Sequence, residues 1–118
     1  MGEKKDKPGD LVQGTLDMLV LKALAGGSKH GYAVAEWIHE SSQDVLRVEE
    51  GALYPALHRL ERRKLIVAEW QTSDNNQRVR VYSLTDRGRK QLAAERSKWA
   101  QLSEAIAGLM KPVPEVEP

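Results

Sequence analysis

The chain has 118 residues, 41% of them hydrophobic and 30% charged, which is enough for one core and too little for two comfortable domains. It has no cysteine, so disulfides, thiolate metal sites and cysteine nucleophiles are excluded together, and no apolar run is long enough to cross a membrane. The formal net charge of +1 argues neither for nor against nucleic acid, so the placement of the charges has to decide.

Residues 1–10, polar and carrying Pro8 and Gly9, are expected to be a flexible N-terminal segment. No signal-peptide core follows them, because Gln13, Thr15 and Asp17 interrupt the chain after Leu11, and a cytoplasmic location is expected. From Leu11 to Ala25 the residues Val12, Leu16, Leu19, Val20 and Leu24 recur at helical spacing, and Gly26-Gly27 supplies the stop. Ser28 to Gly31 reads as a short turn. Ala33, Val34, Trp37 and Ile38 then mark a second helix, with Trp37 as its largest core residue, fading at Ser41-Ser42. An extended stretch around Val45 to Val48, read as a short strand, leads to a third helix with a narrow apolar stripe of Leu53, Leu57 and Leu60. Pro55 lacks an N–H, which is harmless only in the first turn, so this helix is expected to begin near Gly51 or Ala52. Glu49 and Glu50 lie where the positive end of its dipole favours them.

From Leu65 the period changes to two. Ile66, Ala68 and Trp70 alternate with Val67, Glu69 and Gln71, and after Asp74-Asn75-Asn76 a second run sets Val79, Val81 and Ser83 against Arg80, Tyr82 and Leu84. This is a hairpin whose loop residues make local turns and tolerate a left-handed backbone. Thr85-Asp86 offers an N-cap to a last helix running to roughly Leu109, and the prolines beyond it leave 111–118 as a flexible tail. The order predicts an α+β, mostly α protein. It consists of a winged helix-turn-helix domain over 11–85 with a two-stranded wing, followed by a long C-terminal dimerisation helix over 86–110.

Away from its leucines the third helix gathers Ala52, Pro55, His58, Arg59 and Arg62, which suits a helix entering a major groove; a merely solvated charged face is the alternative. The wing adds Asn76 at its tip and Arg78 and Arg80 at period two, an arginine ladder that pairing with Glu69 would also explain. Arg87, Arg89 and Lys90 then sit unfavourably against the dipole of the last helix, where phosphates would offset them. Glu49 and Glu50 oppose this picture, since carboxylates repel a phosphodiester backbone. On the last helix Leu92, Trp99 and Ile106 are spaced as heptads, interleaved by Leu102 and Leu109, and a second copy of the chain is the expected cover for this stripe. Two reading helices would then face a roughly palindromic site. His30, His39 and His58 lack ligand spacing and no nucleophile elbow surrounds Ser28, so no enzyme, metal or cofactor is expected.

The segments TLDMLVLKAL, HGYAVAEWI, EEGALYPALHRLERRKLI and RVRVYSLTDRGRKQL, in this order, resemble the PadR family of bacterial transcriptional regulators, over nearly all of Leu11 to Leu109. The resemblance implies a homodimeric repressor of double-stranded DNA, with the Tyr54-Pro55 segment docking at the groove and the C-terminal helix forming the interface. Ala52 departs from it, since such proteins often carry Ser or Thr there. The single C-terminal helix matches the smaller branch of the family. Some small members bind flat aromatic compounds between interface tryptophans, so Trp99 has two readings, a packing residue or the wall of a site for a small aromatic effector. The functional alternative is a winged-helix protein–protein interaction module without direct DNA readout, suggested by the near-zero net charge and by Glu49-Glu50.

Overall fold

The computed structural model describes residues 13–114. Leu11, Val12, the flexible segment expected over 1–10 and the end of the expected tail lie outside the described residues. The elements run α1 (Gln13–Ala25), β1 (Lys29–His30), α2 (Gly31–Ser41), α3 (Glu50–Arg62), β2 (Ile66–Thr72), β3 (Arg78–Leu84) and α4 (Asp86–Leu109). The strands form one antiparallel sheet in the order β1-β3-β2. Helices dominate, and the β2–β3 hairpin is the wing of a winged helix-turn-helix arrangement.

The third strand is not where the sequence pattern put it. Val45 to Val48 forms no strand; Lys29–His30, read as part of a turn, pairs with Tyr82 and Val81 of β3. Two residues are too few for alternation to register. The stretch before α3 is shaped instead by side chains. The Ser42 hydroxyl bonds the His39 carbonyl (3.1 Å) and the Leu46 N–H (2.9 Å), and the His39 ring lies 3.2 Å from both the Asp44 carboxylate and the Leu46 carbonyl. Gln43 and Asp44 adopt left-handed backbone angles there, φ 55° and 64°.

The core joins Leu16, Val20, Leu21 and Leu24 of α1, Val34 and Ile38 of α2, Leu53, Ala56, Leu57 and Leu60 of α3, and Leu65 and Ile66 at the start of the hairpin. Trp37, expected as the largest core residue of α2, is half-buried at the core's edge, because Val34 and Ile38 take the central positions. Helix α1 stops at Gly27, whose φ of 140° suits glycine, and the Lys29 ammonium donates to the Ala23 carbonyl (2.9 Å). Pro55 occupies the sixth position of α3 rather than its first turn. The carbonyl that loses an N–H partner to it is that of Gly51, an exposed residue open to solvent, which keeps the loss cheap.

Helix α3 closes with Lys64 in the left-handed region (φ 62°), its N–H bonded to the Glu61 carbonyl and that of Leu65 to the Leu60 carbonyl. The N-terminus of α4 docks on this corner. The Thr85 hydroxyl lies 2.8 and 3.0 Å from the Lys64 and Leu65 carbonyls and accepts from the Gly88 N–H at 2.9 Å. A Cβ at Gly88 would overlap the Leu65 carbonyl oxygen and press on Leu84. Gly88→Ala is therefore expected to cost about 1 to 3 kcal/mol of stability, read from the urea midpoint. An unchanged midpoint would show that α4 does not bear on this carbonyl.

Candidate nucleic-acid interface

One side of α3 is committed to the core: Leu53, Ala56, Leu57 and Leu60 are each no more than 1% exposed. Ala52, Pro55, His58 and Arg62 are exposed in consequence. Tyr54, read from the family resemblance as projecting outward, is exposed, with one edge of its ring against Gly31 of α2. A Cβ at Gly31 would come within 3.1 Å of the Tyr54 ring, so the glycine of His30-Gly31-Tyr32 makes room for it. His30 has a local task as well, accepting the Ala33 N–H at the N-cap of α2 (3.3 Å).

The cations divide into two sets. Arg59, placed by helical spacing on the outward side, turns to α1: its Nη2 and Nε meet the Asp17 carboxylate at 2.7 and 3.4 Å, with both side chains less than a quarter exposed. The expectation of a groove-side Arg59 gives way to a bridge between α1 and α3, because Arg59 stands on the flank of the apolar stripe that faces α1. Arg80 of the wing donates to Glu61 of α3 at 2.7 Å. Its expected partner Glu69 stands opposite Val81, on the other face of the hairpin. Arg62, His58 and Arg78 make no ion pair among the described residues.

His58, Glu61, Arg62 and Arg80 line a shallow cleft of about 270 Å³ between α3 and the wing. Three groups able to carry positive charge thus surround one carboxylate already engaged by Arg80. Asn76 at the wing tip has a structural reason for its type, a left-handed φ of 60° with its N–H bonded to the Ser73 carbonyl. Arg78 lies with its Cζ 4.8 Å from the centre of the Trp70 ring. Burial raises the Tyr82 phenol above the ordinary tyrosine range, with the nearby Arg80 guanidinium pulling the other way. The partner roles of Trp70, Glu61 and Asp17 are not visible in the sequence pattern by itself. The strand alternation carried a signal for Trp70, since it set Trp70 and Arg80 at positions that the hairpin register brings opposite each other.

Helix α4 leaves the domain, and the described residues extend over 71 × 35 × 31 Å. Leu92 differs from its expected interface role: it is 7% exposed and packs in the chain's own core. Beyond it Trp99, Leu102, Ile106 and Leu109 are exposed. Trp99 borders a groove of about 690 Å³ whose walls include Met18 and Leu19 of α1 and Ala93 and Arg96 of α4. Among the described residues no helix is long and apolar enough to cross a membrane.

These features define a winged-helix protein with a protruding C-terminal helix. The model of the Transcriptional regulator PadR-like family matches residues 20–94, and the chain belongs to that family. It is 37% identical over 90 residues to the transcriptional regulator Rv3488 of Mycobacterium tuberculosis, an alignment covering 75% of this chain and 79% of that one. A PadR family transcriptional regulator from Eggerthella lenta matches with a TM-score of 0.72 at 29% identity, over 86% of each chain. A transcriptional regulator from Clostridium thermocellum shares the fold, with a TM-score of 0.76 at 24% identity over 84% of this chain and 96% of that one.

The Asp17–Arg59 bridge has a measurable consequence. Asp17→Asn or Arg59→Ala alone is expected to lower stability by about 1 to 2 kcal/mol, since each leaves a half-buried charge without its partner while water still reaches both. The double variant should lose less than the sum of the two, by about 0.5 kcal/mol or more. Additive losses would mean that the pair contributes nothing as a pair.

Proposed function

We propose that the chain is a cytoplasmic, sequence-specific DNA-binding transcriptional regulator, a repressor that acts as a homodimer on a roughly palindromic operator. The observation that carries this reading is the cationic cleft, in which α3 and the wing turn His58, Arg62 and Arg80 toward one space while the leucines hold the opposite side of α3 in the core. Arg78, exposed and without a carboxylate partner among the described residues, extends the same surface. Ala52, Tyr54, Pro55 and Asn76 complete the proposed contact set; Arg59 drops out of it and positions α3 instead.

A charged surface of this kind binds phosphates and releases counterions, so log K for duplex DNA should fall linearly with log salt, by about 0.9 for each phosphate contacted. Arg62→Ala should reduce that slope by about one if Arg62 touches a phosphate, or cost about 1 to 3 kcal/mol at one base position if it reads a base. A flat salt dependence in the intact chain removes the DNA reading. It would favour the second one, a protein-interaction module, which the exposed Glu49 and Glu50 at the start of α3 support.

The homodimer is proposed from α4, where Trp99, Leu102 and Ile106 are each about half exposed on a helix that has left its own domain. The groove beside Trp99 could also admit a small aromatic effector between α1 and α4. Ile106→Lys is expected to give a monomer by light scattering at concentrations where the unchanged chain is a dimer. A monomer in both would remove the paired reading helices.

A further inference from the structure

Trp70 is 57% exposed on the wing, so its ring is open to neighbouring side chains on the same face of the hairpin. The hairpin register sets Trp70 opposite Arg80 and Thr72 opposite Arg78, so Arg78 is the diagonal neighbour of Trp70 on the same face. Both guanidinium groups use that proximity. The Arg78 Cζ lies 4.8 Å from the ring centre and the Arg80 Cζ 6.0 Å, while Arg80 is also 5.9 Å from the Tyr82 ring and bonded to Glu61 at 2.7 Å. A guanidinium stacked on an indole engages its face and leaves the in-plane N–H groups free to donate. An ion pair with a carboxylate would occupy those same donors.

Resting on the DNA-binding reading, we propose that Trp70 is a positioning residue of the wing. Its indole holds the Arg78 guanidinium, with that of Arg80 at the edge of reach and anchored by Glu61 as well, so that the wing presents ordered positive charge to a phosphodiester backbone. A long arginine side chain loses rotamer freedom when it binds, and stacking removes much of that freedom before the encounter. Trp70 acts through the arginines and need not touch the nucleic acid.

The test is a double-mutant cycle on affinity for a mixed-sequence duplex of three helical turns at low salt, using the whole chain. Trp70→Leu, which keeps an apolar strand residue, is expected to weaken binding about 2- to 5-fold. Trp70→Tyr should recover most of that loss. Arg78→Ala should cost at least about twofold less in the Trp70→Leu background than in the unchanged chain. Equal costs in the two backgrounds would overturn the proposal, because Trp70 would then act independently of Arg78. A second readout needs no DNA: the Arg78 side-chain protons should carry an upfield ring-current shift that is retained in Trp70→Tyr and lost in Trp70→Leu. Its absence from the unchanged chain would overturn the proposal as well. Failure of the unchanged chain to bind the duplex defeats the DNA reading itself; an additive cycle in a chain that does bind defeats only the role of Trp70.

Discussion

Helix α3 cannot turn about its own axis without pulling Leu53, Leu57 or Leu60 into water, and each of these side chains contributes roughly 1.5 to 3 kcal/mol by its burial. That constraint fixes every other direction on the helix. With the leucines and Ala56 inward, Ala52, Pro55, His58 and Arg62 have no alternative to the outside. The Asp17–Arg59 bridge acts on the same degree of freedom from the flank, tying α3 to α1 at a point where the apolar stripe ends. Apolar burial sets the gross orientation, and the directional ion pair narrows what non-directional packing leaves loose.

The same geometry sorts the arginines by what they face. Arg59 meets a half-buried carboxylate, to which its Nε and Nη2 donate within the fold. Arg80 is shared, with one N–H on Glu61 and its face near two aromatic rings. Arg78 has an aromatic face and no carboxylate among the described residues, and Arg62 has neither. A net charge of +1 therefore says little about the surface potential near the wing. Carboxylates such as Asp17 neutralise cations that structure requires, while at the cleft Arg62 and His58 make no ion pair among the described residues and Arg80 gives one N–H to Glu61.

Much of this was legible because it is periodic. The four helices, the hairpin and its loop follow from spacing and from caps such as Thr85, and the leucine stripe of α3 was readable from three residues. What stayed hidden depends on contacts between residues far apart in the chain. Arg59 and Asp17 lie 42 positions apart and Arg80 and Glu61 lie 19 apart, and no local pattern connects either pair. A helical wheel assigns Arg59 to the polar side and cannot say that α1 passes beside it. Leu92 illustrates the converse. Its heptad spacing with Trp99 is real, but the first turns of α4 still lie against the domain, so the same stripe is buried at one end and exposed at the other. The misplaced strand has a simpler cause, since a two-residue bridge has no period to detect.

Glu49 and Glu50 bear on how α3 would approach a nucleic acid. A helix N-terminus ordinarily attracts phosphate through its free N–H groups and its positive dipole end. Here Glu49 is the N-cap, makes no side-chain bond to the helix, and is exposed along with Glu50. Two carboxylates at that end favour the dipole but repel an incoming anion, so the attractive potential of α3 moves along the helix toward His58 and Arg62. Arg80 of the wing lies beside that same half of the helix, across the cleft. On the proposed reading the phosphodiester backbone is therefore drawn to the seam between α3 and the wing rather than to the helix start. Close contact near Tyr54 and Pro55 then requires that the favourable charge at the seam outweigh the repulsion at Glu49 and Glu50, a balance that fewer backbone contacts, or higher salt, would tip against binding.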